Sequence, residues 1–74
     1  MERYTVTVRW DGEAHVWYVA DSDVPGLATE AETLEEIEQK LTVMIPELLE
    51  LNDPEYQPHR VPFELIAHKH ELSA

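Results

Sequence analysis

Two sets of side chains in this sequence could support chemistry: the histidines His15, His59, His68 and His70, and the aspartates Asp11, Asp21 and Asp23. On an extended strand, His68-Lys69-His70 puts two imidazoles on one face, a spacing that can hold zinc or nickel. A third ligand would have to come from His59 or from an acid such as Glu64, and the chain has no cysteine. His68 and His70 are therefore weak metal candidates, the plainer reading is solvated edge histidines, and no metal or cofactor is expected. The aspartates would serve a divalent-metal hydrolase only if they converged at one end of neighbouring strands. Asp11 falls in a turn and Asp21 and Asp23 at the far end of the next strand, which separates them by roughly 20 Å. Ser22 and Ser73 are the only serines, and neither lies in a nucleophile elbow. Two glycines leave no loop to cradle a phosphate. The inventory argues against an enzyme, with a metal-dependent hydrolase as the weakest reading.

The elements that would position these groups follow from periodicity. From Arg3 to Trp10 the residues alternate, with Tyr4, Val6, Val8 and Trp10 on one side, as in a half-buried strand. Asp11-Gly12 signals a tight turn, and His15 to Asp21 resumes the extended pattern, so the two runs form a hairpin. The second strand is apolar on both faces. Pro25-Gly26 marks a turn, and Leu27 to Ala31 is long enough for a short third strand. Thr33 is a good N-cap, and Glu36 completes a Thr-x-x-Glu capping box. Leu34, Ile37, Leu41, Met44, Ile45 and Leu48 then recur at helical spacing. Pro46 lies inside that stripe and predicts a kink rather than a break, because the apolar phase continues beyond it. Residues 52–60 form a polar loop. Val61 to Glu71 alternates again as a last strand, at an edge because Pro62 cannot donate to a ladder. The expectation is an α+β fold of order β-β-β-α-β over residues 1–74 as one domain, with a small, antiparallel-rich sheet and one kinked helix on one face.

Size and charge bound the function. A chain of 74 residues buries only about 60% of the surface it exposes when unfolded, so its core is marginal. Without disulfides or a metal finger, a homo-oligomer, dimer or higher, is the expected extra source of stability. Sixteen acids against five bases give a formal charge of −11, a field that repels phosphate backbones and disfavours direct nucleic-acid binding. The same field steers a basic partner inward, although acidity alone also keeps a small protein soluble. The start MERYTVTV has no basic segment followed by an apolar one, and no apolar run approaches a membrane span, so a cytoplasmic protein with no membrane role is expected.

The run Asp21 to Glu36, DSDVPGLATEAETLEE, resembles the central signature of HicB-like antitoxin domains, in which a strand enters a Pro-Gly turn, a short strand and a Thr-x-x-Glu helix start. With WYVA (Trp17 to Ala20) and IPELLE (Ile45 to Glu50) it looks closest to a small uncharacterised branch of that superfamily. The resemblance covers most of the chain between residues 4 and 52. It implies a partial ribonuclease-H-like fold without that enzyme's active site, and a domain that binds and blocks HicA, a small basic toxin that cleaves messenger RNA with a histidine. Pro25, Gly26, Thr33 and Glu36 match the family pattern as turn and helix cap. Ala31 replaces the glycine usual before the cap. The C-terminal DNA-binding segment of HicB has no counterpart here, so only partner binding carries over.

Those readings combine into an acidic protein-interaction module that neutralises a basic HicA-like mRNA interferase. The alternative is a self-associating structural module without a toxin partner. If Tyr4, Val6, Val8, Trp10 and Tyr18 face the helix, then Trp17 and Val19 face outward beside Ile66 and form an apolar interface patch. The competing assignment inverts the face and makes Trp17 core.

Overall fold

The computed structural model describes residues 4–53, 55 and 62–69. The β-branched alternation at the N-terminus gives β1 (Tyr4–Asp11), which pairs antiparallel with β2 (Val16–Ser22). The two-residue β3 (Glu30–Ala31) pairs antiparallel with β2, and β4 (Phe63–His68) pairs parallel with β1. One helix, α1 (Leu34–Asn52), lies between β3 and β4 in the chain. The sheet order is β3-β2-β1-β4, so the α+β class and the β-β-β-α-β order are those read from the sequence, in a mixed sheet. The parallel pair follows from connectivity, since α1 carries the chain back along the sheet before β4 starts. As expected for a strand that follows Pro62, β4 is an edge.

The hairpin differs from the sequence expectation in its loop. Asp11 is paired with Val16, which leaves four residues, 12–15, between the strands instead of two. The Asp11 carboxylate accepts hydrogen bonds from the Glu13 N–H (2.9 Å) and the Ala14 N–H (3.1 Å), and the His15 N–H donates to the Asp11 carbonyl (2.8 Å). His15, not Gly12, takes the left-handed conformation, at φ 59°. An aspartate that caps its own turn favours this wider loop.

Loop parity decides which residues share a face. Four loop residues place Val8 opposite Val19 and Trp10 opposite Trp17, and directly opposed residues point the same way. Trp17 and Val19 therefore lie on the covered side, packed against the core. This corrects the outward placement of Trp17 and Val19: Tyr18 is the outward residue, and the inverted assignment holds. The register then slips between Thr7 and Val8, leaving Ala20 as the extra residue of a bulge.

The covered side is closed by α1. Its N-cap Thr33 is extended (φ −128°, ψ 159°), and its Oγ1 accepts from the Glu36 N–H at 3.1 Å. Ile37, Leu41, Ile45 and Leu49, four residues apart, are buried against Val6, Val8, Val24, Leu27 and Ala31. The helix continues through Pro46 as one element. The stripe fails only at its end, where Leu51 is 80% exposed. At the far end of β2, Val24-Pro25-Gly26-Leu27 forms a turn closed by the Leu27 N–H to the Val24 carbonyl (3.3 Å), with Gly26 at φ 80°. Proline in the second position and a positive φ in the third are the requirements of a type II turn. The Asn52 side-chain amide donates to the Pro25 carbonyl (3.3 Å), tying this turn to the end of the helix.

Candidate functional site

With the helix on one side, the other side of the sheet carries the residues available for function. Cross-strand register assembles one row from all four strands: Glu30 opposite Tyr18, Tyr18 opposite Arg9, and Arg9 opposite His68. A second row joins Asp21, Thr7 and Ile66. Between them lies a shallow depression lined by Thr7, Arg9, Tyr18, Val19, Ala20, Asp21 and His68, to which Val19 contributes although it packs against the core. Tyr18 is 38% exposed, one of three large apolar side chains left in solvent among the described residues, with Val43 and Leu51 of the helix. Ile66 and Thr7 are half-buried, while Arg9 and His68 are exposed. The row offers a phenol, a guanidinium and an imidazole side by side, with the Glu30 carboxylate at one end and that of Asp21 in the neighbouring row. Such a surface can hydrogen-bond and stack against a peptide, and its charges are nearly balanced.

The sequence-selected residues divide between the two sides. Ile66 and His68 lie on the open face, whereas Trp17 and Val19 do not. Arg9, Tyr18 and Thr7 are the open-face residues that sequence reasoning missed. The signal for them was the hairpin parity, which sets Arg9 and Tyr18 opposite each other. His59 and His70 fall outside the described residues, and so does the proposed pairing of His68 with His70. Among the described residues no three histidine, cysteine or carboxylate side chains gather as a metal site.

Each aspartate of the suspected trio is engaged with nearby backbone. Asp11 caps the hairpin loop, the Asp21 Oδ1 accepts from the Ser22 N–H (3.0 Å), and the Asp23 Oδ2 accepts from the Thr5 N–H (3.0 Å). Asp21 pairs with Thr7, four positions from Asp11 along β1, so strand rise separates them by about 13 Å rather than the wider gap expected. The separation to Asp23, whose N–H donates to the Thr5 carbonyl, stays near ~20 Å.

Negative charge gathers on the helical side. Glu30, Glu32, Glu35, Glu36 and Glu38 crowd the start of α1, all exposed, with Lys40 as the one base on the helix. Its ammonium donates to the Glu30 carbonyl. No base lies in the last turn, where Glu50 is followed by Asp53 as C-cap. Carboxylates suit the first turn of a helix but oppose its dipole at the last. No helix is long and apolar enough to cross a membrane among the described residues.

Comparison with known proteins gives a family without an assigned role. Residues 3–73 match the family model DUF1902, described as a domain of unknown function. No curated protein matches the chain. Among solved structures, the chain is similar to the hypothetical protein TTHA1013 from the extremely thermophilic bacterium Thermus thermophilus. The two share 46% identity with a TM-score of 0.71 over 99% of each chain.

Proposed function

We propose that this chain, which belongs to the DUF1902 family, is a protein-interaction module that uses the open face of its sheet to hold a small basic partner, a ribonuclease of the HicA type. The observation that carries the reading is that, among the described residues, the sheet is covered on one side: Tyr18, Thr7, Arg9 and Ile66 present a mixed apolar and polar surface opposite α1. Interfaces typically combine an exposed aromatic anchor with a polar surround, and Tyr18, flanked by Arg9 and Glu30 with His68 beyond Arg9, has that composition. The charge of −11 selects the sign of the partner, because long-range attraction raises the encounter rate of a basic protein and screens out acidic ones. The resemblance of Asp21 to Glu36 to HicB-like domains supplies the partner class.

The reading requires a small basic protein encoded beside this chain, and the test is co-expression with it, followed by purification and ribonuclease assay; the absence of such a neighbour overturns the proposal. A stoichiometric complex that suppresses the nuclease and loosens as salt is raised supports the reading. Tyr18→Ala should weaken the complex by about 2 kcal/mol, the scale of an interface anchor, with the fold intact by circular dichroism. A basic neighbour that neither binds nor loses activity overturns the proposal.

A further inference from the structure

The outer edge of β4 carries a self-complementary pattern. Among the described residues the sheet ends on this strand, whereas the opposite edge, β3, is only two residues long. Six residues, Phe63-Glu64-Leu65-Ile66-Ala67-His68, contain no proline or lysine; these usual devices against edge pairing stand only at the strand's ends, as Pro62 and Lys69. Glu64, Ile66 and His68 point to the open face, since they are opposite Thr5, Thr7 and Arg9; Phe63, Leu65 and Ala67 point to the covered face.

Antiparallel pairing of β4 with its own copy must be centred on one residue that meets itself, because the twofold axis passes through the sheet there. Centring on Glu64 sets like charges against each other. Centring on Leu65 opposes Glu64 to Ile66, and centring on Ala67 opposes Ile66 to His68. Ile66 gives the best-matched centre: Ile66 meets Ile66, each Glu64 meets the other copy's His68, and each Leu65 meets an Ala67, while Phe63 falls opposite Lys69 beyond the strand's end. Arg9 stands beside His68 in the same row and adds attraction for the incoming Glu64. The helix, which holds Glu35, Glu36, Glu38, Glu47 and Glu50, approaches β3 and β2 most closely, at the other side of the sheet.

From this we propose that β4 is the seam of a twofold homodimer centred on Ile66, which joins two four-stranded sheets into one of eight strands with both helices on the same side. The seam forms without a toxin partner, shares Ile66 and His68 with the open face proposed to hold one, and leaves Tyr18 on the open face of each copy. The chain has no cysteine, so introduced thiols report the register. Ile66→Cys places two sulfurs within disulfide reach and should oxidise to a covalent dimer, while Val43→Cys on the outer helix surface should not. Glu64→Cys and His68→Cys should each stay uncrosslinked alone, with about 13 Å between like positions, and crosslink when mixed. In sedimentation equilibrium of the cysteine-free chain, His68→Glu should weaken the dimer about tenfold or more, and Glu64→Lys added to it should restore association. Circular dichroism shows that each variant remains folded. A wild-type chain that stays monomeric up to millimolar concentration overturns the proposal. So does a dimer in which position 43 crosslinks and the mixed 64 and 68 thiols do not.

Discussion

At the residue scale, single side chains hold the turns and caps that fix the register of everything else. Gly26 sits at φ 80°, and a Cβ built there would meet only Leu48 Cδ2, at an ordinary 3.9 Å. Space is therefore available and the backbone alone resists substitution. Gly26→Ala should cost about 1 kcal/mol, read as a lower denaturant midpoint with an unchanged slope. Thr33→Ala removes the acceptor for the Glu36 N–H and should cost a similar ~1 kcal/mol, whereas Thr33→Ser should retain most of the cap. Trp17 is subject to a different expectation. It stacks edge-on against Trp10 with centroids 5.5 Å apart, while the Lys69 ammonium lies 4.8 Å above the Trp10 ring. A Trp17→Ala variant should lose stability, by about 3 kcal/mol, before it loses any partner.

At the element scale, α1 combines a favourable start with an unfavourable end. Glu35 and Glu36 in the first turn align with the dipole, but Glu50 and the C-cap Asp53 oppose it, with no base in the last turn. Glu50→Lys should therefore raise the thermal midpoint, by an amount equivalent to roughly 0.5 kcal/mol at low salt, and the gain should shrink as salt increases. Pro46 has a parallel effect. It lies within a continuous helix and withholds one N–H from the ladder, so the helix persists because Ile37, Leu41, Ile45 and Leu49 hold it on the sheet rather than through propensity.

At the scale of the whole molecule, a small core opposes a large net charge. Nine buried apolar residues make up the core among the described residues, and removing one centrally placed side chain takes a large share of the total stability. Leu41, fully buried, should cost about 3 kcal/mol when replaced by alanine, enough to leave a marginal domain partly unfolded at room temperature. Self-repulsion from a charge of −11 should make added salt stabilising, with a midpoint that rises between low and physiological ionic strength. Pairing along β4 would join two sheets without bringing the acidic helices together, and the open faces would merge into one wider platform.

The sequence by itself determined the local grammar. Strict alternation around Val6 and Val8 specified β1, the Thr33 cap and the apolar spacing from Leu34 to Leu48 specified α1, and Val24-Pro25-Gly26-Leu27 specified the turn between them. Each of these depends on interactions within a few residues, which composition and spacing encode directly. Hairpin parity was legible too, since the two-residue turn expected and the four-residue loop found both hold an even number of residues and either puts Trp17 on the side of Val6 and Val8, whereas tertiary structure decided the register, which sets Trp17 opposite Trp10. It also decided that β4 runs parallel beside β1, which brings His68 next to Arg9 and leaves a self-complementary edge. Strand pairing joins residues more than fifty positions apart, and a period of two is unchanged when a strand is turned over; neither neighbour nor face is written in the alternation itself.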